Sequence, residues 1–483
     1  MGKTKYLYGA SVQGIQSFIF QTNELKDIVG ASELVEKICT EYFNKYAVNG
    51  KTVIQAAGNV KFIFNDKASC EKAVLEFSKE VLKAAPGVTI SQAVVKYDTD
   101  FSSAVEELES KLRIQRNKPM KNQNFGLIAM ERSRKTGFPV EYIIKDEYLD
   151  ASTKAKRDAQ NVISLCQKNF GNTTGANKIA FDIKDMTKHN DWIAIIHIDG
   201  NGLGQIVSKV GSDENKFSKF SADLDKATIN SAAKAYSSIS YLFTEDDRIP
   251  IRPVVLGGDD HTIICRADLA LEYTTSFLKE FENETKSMCS ELKGLGLLFE
   301  NLTACAGIAF IKSSYPFYYG YNLAEELCGV AKKDAKASER LVNGLAPSCL
   351  MFHKVQDSFV EDYNTIKERE LTPNENYSFC GGPYYLDDIK DRFTIGEIHS
   401  YKEKLNSKDD MSLKSNIREW LSLMFENKEY ANQKKNRIKA IYPNKIGLVD
   451  KLISQRFFDN RVIAYDVLSL FSVNYQITKT KEK

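Results

Sequence analysis

"IRPVVLGGDDHTIIC", residues 251–265, sets two β-branched runs around Gly257, Gly258, Asp259 and Asp260, residue types that strand interiors disfavour. Two such runs separated by glycine and aspartate predict two strands joined by a tight hairpin, of type I′ or a related kind. Both residue types tolerate the positive φ that such a turn needs. A turn by itself accounts for all four residues. What adds a functional reading is a third carboxylate upstream.

That carboxylate is Asp199, which ends "WIAIIHID" (192–199), a continuous apolar run with the pattern of a central strand buried on both faces. "GNGLGQIVSKV" follows as a glycine-rich turn opening a helix, and a longer helical pattern runs through "SKFSADLDKATINSAAKAYSSI". After the hairpin come a helix over "DLALEYTTSFLKEFENETKSM" with Asp268 as its N-cap, a strand "LTACAGIAFI", and a closing helix "NLAEELCGVAKKDAK". This βαββαβ order is the ferredoxin-like split motif, in which the first strand lies beside the strand leaving the hairpin. Asp199, Asp259 and Asp260 are therefore expected to meet at one edge of the sheet. Without a counter-charge each carboxylate raises the cost of ionising the next. A hard divalent cation, Mg²⁺ or Mn²⁺, relieves this: Mg²⁺ takes one or two carboxylates plus substrate phosphates, and paired ions can clamp an in-line displacement.

Other parts of a nucleotide site are present. Gly200, Asn201, Gly202 and Gly204 surround a helix start, where free N–H groups favour anions, and Gly257 and Gly258 let a polyphosphate approach the rim. Lys332 and Lys333 on the closing helix could neutralise a triphosphate, although a lone lysine on an exposed face reads as solvated surface.

The same pattern occurs earlier. "AGNVKFIF" (57–64) precedes "GGDDHTII" (257–264) by 200 positions, with a following helix "SCEKAVLEFSKEVLK" and strand "VTISQAVV". "YGASVQGIQSFIF" matches "IHIDGNGLGQIV", so that Ser11 falls on Asp199, Gln13 on Asn201 and Gly14 on Gly202, with Asn59 and Val60 on Asp259 and Asp260. The expected fold is thus α+β, with two βαββαβ units of which only the second keeps its carboxylates. Residues 111–135 carry eight Lys/Arg against one Glu, and from about 394 onward the pattern is helical.

Composition narrows the class. At 483 residues the chain is longer than one ordinary domain. With 43% apolar and 27% charged residues it reads as globular, and a net charge of +2 makes any basic surface local. Nine cysteines without a C-x-x-C pair point away from a zinc ribbon and toward a reducing compartment, the cytoplasm. Neither a signal peptide nor a membrane-spanning apolar run is expected, and "MGKTKY" lacks the Ser or Thr of a myristoylation site.

These residues resemble a known family. "IHIDGNGLG" and "VVLGGDDHTII" look like the second palm of the polymerase-like large subunit of type III CRISPR complexes, a domain shared more distantly with GGDEF diguanylate cyclases. "SVQGIQSFIFQTNELKDIVGASELVEKI" is similar to the opening of that subunit's first palm. The resemblance implies a degenerate palm over 1–110, a basic, helical connecting region over 111–184 and a catalytic palm over 185–345. A linker over 346–393 and a helical C-terminal domain over 394–483 would follow.

It further implies a nucleotidyltransferase that turns ATP into a cyclic oligonucleotide messenger in antiviral defence, acting on a downstream effector through that diffusible product. Asp199, Asp259 and Asp260 match the metal-binding carboxylates, Gly200 adds its carbonyl, and Lys332 is a better match than Lys333 for a phosphate-binding lysine. Ser11, Gln13 and Asn59 would bind a second nucleotide without metal.

Against the family pattern, this sequence is expected to open directly at the palm. Its five histidines, at 189, 197, 261, 353 and 399, form no His-Asp dyad of the nuclease domain that commonly precedes it, and the cysteine-ligated zinc module is missing. His261 replaces the phenylalanine of GGDEF proteins. Two alternatives stay open: a cyclic dinucleotide synthase using GTP or mixed nucleotides, and a non-catalytic scaffold that binds RNA through 111–135.

Overall fold

The computed structural model describes residues 4–473 apart from 57, 119–128, 162, 172–177, 188–190, 212, 244–247, 293, 295, 297–298, 358–360 and 408–409. The first unit opens with β1 (Lys5–Gln13), α1 (Ile15–Ile19) and α2 (Leu25–Lys37). The hairpin β2 (Gly50–Ala56) and β3 (Asn59–Phe64) leads to α3 (Lys67–Ala84), β4 (Thr89–Tyr97) and α4 (Phe101–Arg116). Its strands are all antiparallel, in the order β2-β3-β1-β4. Asp66 and Asp100 start α3 and α4 by accepting the Ser69 and Ser103 N–H groups at 2.8 and 3.0 Å. α4 crosses the boundary expected at 110 and closes the first unit.

A small ribbon, β5 (Tyr142–Ile144) and β6 (Glu147–Leu149), and the helices α5 (Ala151–Ala159), α6 (Ser164–Phe170) and α7 (Ile183–Thr187) connect the units.

The second unit repeats the plan: β7 (Trp192–Asn201), α8 (Leu203–Val210), α9 (Glu214–Ile239), β8 (Ile251–Gly257), β9 (Asp260–Arg266), α10 (Ala270–Glu291), β10 (Thr303–Lys312) and α11 (Phe317–Ala335). Within the sheet, β8-β9-β7-β10 reproduces the order of β2-β3-β1-β4. α9 and α10 pack together on one face of this sheet and α11 covers the other. Ile193, Ile195, Ile196 and Ile198 of β7 are consequently all fully buried, which is why that strand reads as an unbroken apolar run.

Two expectations change. Residues 346–393 do not run as a linker: β11 (Cys349–Lys354) pairs parallel to β10, α12 (Tyr363–Glu370) follows, and β12 (Tyr384–Tyr385) pairs antiparallel to β11. Glycine and proline in "CGGPYYLDD" hid a strand of two residues, too short to show alternation. Asp268 does not cap α10 either. It accepts from Arg266 Nε at 2.6 Å, and a 3₁₀ turn leads into the helix with Leu269 at the cap.

The helical tail follows as α13 (Ile395–Lys404), α14 (Asp410–Glu426), α15 (Lys428–Ile441), α16 (Ile446–Ile453) and α17 (Ala464–Val473), opened by a capping box of Thr394 and Glu397. All nine cysteines are buried and unpaired in disulfides. No described helix is long and apolar enough to cross a membrane.

The units pack reciprocally, α2 against β8 and α9 against β2, as across a two-fold axis. Around the turn that follows β1, Phe20 stacks on Tyr321 of α11 at 4.9 Å, Gln16 Nε2 donates to the Tyr321 hydroxyl at 3.3 Å, and Asn23 accepts from the Phe317 N–H at 2.7 Å.

Candidate active site

The hairpin between β8 and β9 turns on Gly258 and Asp259, with Gly257 and Asp260 as the paired positions on either side. Gly258 has φ +63°, whereas Asp259 stays out of the left-handed region. Positive φ at the first central position alone is the pattern of a type II′ turn. A side chain at Gly258 would meet no neighbour, so the glycine answers to backbone conformation and not to space. α9 holds the turn from beneath: Thr228 Oγ1 donates to the Gly258 carbonyl at 2.6 Å, and Asp225 Oδ1 accepts the Gly258 N–H at 3.1 Å.

Antiparallel pairing sets Asp199 of β7 directly opposite Asp260 of β9. Asp259 comes close to the same place from the turn, because Gly200 leaves room: a Cβ there would stand 3.0 Å from Asp259 Cβ. The three carboxylates thus converge at one rim of the sheet, all half-buried. Burial, and then the Asp199 carboxylate, push Asp259 up to about 6. Burial, then Asp259 and Asp199, push Asp260 up to about 7.

Among the described residues, the cation that meets this excess is Lys332. Lys332 of α11 pairs with Asp199 and donates to the Gly200 carbonyl at 2.9 Å. Burial would lower its pKa, yet the neighbouring Asp199 prevails and holds the ammonium above its ordinary value.

Other residues expected in the site fall in several places. Gly202 caps α8 with φ +82° and faces Leu345, into which any side chain would collide. Gly204 is exposed on the first turn of α8. Asn201 is buried, donating to Thr303 Oγ1 at 3.2 Å and Cys305 Sγ at 3.3 Å, so it braces the strand ends and does not face a ligand. Lys333 points elsewhere, into a cavity of about 510 Å³ shared with Asp334, Arg340, Lys367 and Arg461.

His197 and His261, the sheet histidines next to the carboxylates, are core residues. His261 lies between the Val255 carbonyl and the Tyr273 hydroxyl, at 3.2 and 2.7 Å, and His197 contacts Thr262 at 3.1 Å. Burial pushes both down to about 4, so both are neutral at physiological pH.

In the first unit Ser11 pairs with Asn59 in the sheet, as Asp199 does with Asp260. The register therefore sets Asn59 on Asp260, one position away from the match with Asp259 expected from the sequence. Val60 accordingly falls on His261. Ser11 Oγ donates to Asn59 Oδ1 at 2.8 Å, while Gln13 Nε2 reaches back to the Ser11 carbonyl at 3.2 Å. Gly14 and Gly202 both cap the following helix in the left-handed conformation, at φ +62° and +82°.

Sequence reasoning missed Asp225 and Thr228, which look like any polar residues of an amphipathic helix, and Glu325 of α11, whose charge adds to the field at Asp260. The basic stretch 111–135 lies partly outside the described residues, at 119–128.

Among the described residues no three His, Cys, Asp or Glu side chains stand ready-made as a metal cage. The donors that are present, carboxylates and one carbonyl with a substrate to complete the shell, fit Mg²⁺ or Mn²⁺ better than a metal that needs an all-protein cage. The Lys332 cation already bridges two of those oxygens.

Residues 192–341 match the model of the Cas10/Cmr2 second palm domain. The second unit is Cas10-like. Solved structures similar over the chain include the Csm1-Csm4 cassette in complex with cA3, at 14% identity and TM-score 0.59, covering 98% of this chain and 69% of that one. The same cassette with pppApApA, at 13% identity and TM-score 0.58, and with cA4, at 15% and 0.57, each covers 98% of this chain and 70% of the other. At this identity the likeness shows a fold shared with those cassettes along the chain. No curated protein sequence matches the chain.

Proposed function

We propose that this chain is a metal-dependent nucleotidyltransferase that converts ATP into a cyclic oligoadenylate messenger in CRISPR-type defence. The observation that carries the reading is the meeting of Asp199, Asp259 and Asp260 at adjoining strand ends with Lys332 across from them. Similar cassettes crystallised with ATP, pppApApA, cA3 and cA4 support the choice of adenine nucleotide and a protein partner like Csm4. In this reading 1–110 is a degenerate palm and 185–345 the catalytic one, with the strands of 346–393 extending its sheet.

Asp199, Asp259, Asp260 and the Gly200 carbonyl would hold the divalent cation. When bound, that cation supplies charge stabilisation at the transferring phosphoryl group. Gly257, Gly258 and the start of α8, bare of side chains, admit the phosphates closely. Lys332, across the rim from the carboxylates, would present its ammonium to the triphosphate. Ser11, Gln13 and Asn59 face a second nucleotide from the first unit.

Incubating the purified chain with labelled ATP and Mg²⁺ or Mn²⁺, then resolving phosphatase-resistant products by mass, tests the reading. A cyclic adenylate is expected, and an Asp259→Ala, Asp260→Ala double variant should lose it while melting normally. Undiminished synthesis by that variant would overturn the assignment. Running each nucleoside triphosphate separately decides between adenine and guanine.

A further inference from the structure

The helix that closes each unit carries one more correspondence. Aligned from their first residues, Phe101 and Phe317, α4 and α11 set Ala104 on Gly320, Leu108 on Ala324 and Leu112 on Cys328, all buried. The next position on that face is Arg116 in α4 and Lys332 in α11. Both side chains return to the end of the unit's first strand. Lys332 reaches Asp199 and Gly200, and Arg116 Nη2 lies 3.5 Å from Ser11 Oγ. Ser11 is the residue that stands at the place of Asp199.

The surroundings of the two cations differ in one respect. Lys332 meets a carboxylate and is neutralised. Arg116 meets a hydroxyl already bonded to Asn59, and it forms no ion pair among the described residues. An arginine is permanently charged, and its planar fork of N–H donors fits phosphate oxygens two at a time. Among the described residues no carboxylate meets Arg116 at this strand end, and a guanidinium there suits an anion and not a metal.

We propose that Arg116 grips the phosphates of a second nucleotide in the first unit and does so without a metal ion. This rests on the reading of ATP as substrate. The two units then hold their nucleotides by different physics. One uses a divalent cation on Asp199, Asp259 and Asp260, and the other uses Arg116 with Ser11 and Asn59. Arg116 accordingly leaves the basic stretch 111–135 and joins the nucleotide site.

Calorimetric titration of the full chain with a non-hydrolysable ATP analogue, in Mg²⁺ and in EDTA, separates the two. The wild type should bind two equivalents in Mg²⁺ and keep one in EDTA. Arg116→Ala should weaken the EDTA-resistant equivalent by about tenfold or more, the scale of a lost charge-assisted bond. Arg116→Lys should restore part of it, and Asp260→Ala should remove only the metal-dependent equivalent. The side chain is exposed at the end of α4, so Arg116→Ala should melt like the wild type.

Wild-type affinity of Arg116→Ala in EDTA would overturn the proposal. So would a wild type that binds one equivalent in Mg²⁺ and none in EDTA, leaving the ATP reading intact. Binding of no analogue under either condition would sink the ATP reading and this inference together.

Discussion

Lys332 and Asp199 form an ion pair that also engages the Gly200 carbonyl, so one ammonium covers two of the oxygens a metal ion would use. A divalent cation bound there, as proposed, would have to compete with it. Lys332→Gln should lower the melting temperature of the metal-free chain at pH 8, with a cost of about 1–2 kcal/mol for leaving Asp199 unpaired beside two carboxylates. Mg²⁺ should then raise the melting temperature of the variant by more than it raises that of the wild type, while KM for ATP increases. Equal Mg²⁺ shifts in both proteins would mean that the lysine does not compete for the site.

The carboxylate cluster makes metal-free stability depend on pH. Asp259 and Asp260 titrate in the folded chain near 6 and 7, above the ordinary aspartate value. Raised acids bind protons more tightly when folded, so their contribution is complete below the unfolded pKa and is lost as pH rises through the folded ones. Stability in EDTA should therefore fall between about pH 4 and 8, by on the order of several kcal/mol. Asp260→Asn should flatten much of that slope and melt higher than wild type at pH 8. Thermal melts across the pH series check both, and a stability that rises over this range would contradict the repulsive cluster.

Gly200 keeps β7 clear of Asp259. In Gly200→Ala the new methyl would stand 3.0 Å from Asp259 Cβ and 3.3 Å from Leu203 Cδ1, close enough to shift the aspartate by a few tenths of an ångström without breaking the strand. The fold should survive with a loss of about 1 kcal/mol. Synthesis should fall far more, by roughly ten- to a hundredfold, because a small misplacement of a reacting group is costly. Comparing chemical denaturation with product formation in one preparation tests the split.

The turn itself depends on a helix distant in sequence. Thr228→Val removes the hydroxyl that donates to the Gly258 carbonyl at 2.6 Å and keeps the side-chain shape. A net hydrogen bond of this kind contributes about 1 kcal/mol, and that loss is the expected change in denaturation. Hydrogen exchange should accelerate at the N–H of Gly258 and not in the strand centres. Unchanged protection there would show that Asp225 alone holds the turn.

How much of this was legible follows from the range over which each signal acts. Short-range signals carried far: the unbroken apolar run of β7, the glycine turn between β8 and β9, and the carboxylates at the strand ends all mark themselves by local pattern. Two copies of one unit were visible for the same reason. Pairing register was not, because a one-residue offset between Asn59 and Asp259 leaves the composition of both hairpins unchanged and only the ladder of hydrogen bonds distinguishes it.

Lys332 and Lys333 are equivalent in a sequence. On a helix adjacent residues point about 100° apart, and that rotation sends one to Asp199 and the other to a separate cavity. The sequence by itself therefore determined the strands of the two repeated units, the glycine turn and the carboxylates at the strand ends. The tertiary structure alone decided which long side chain meets which carboxylate, and it brought Arg116 to Ser11 across 105 residues, because those contacts depend on helix length and facing and not on neighbours in the chain.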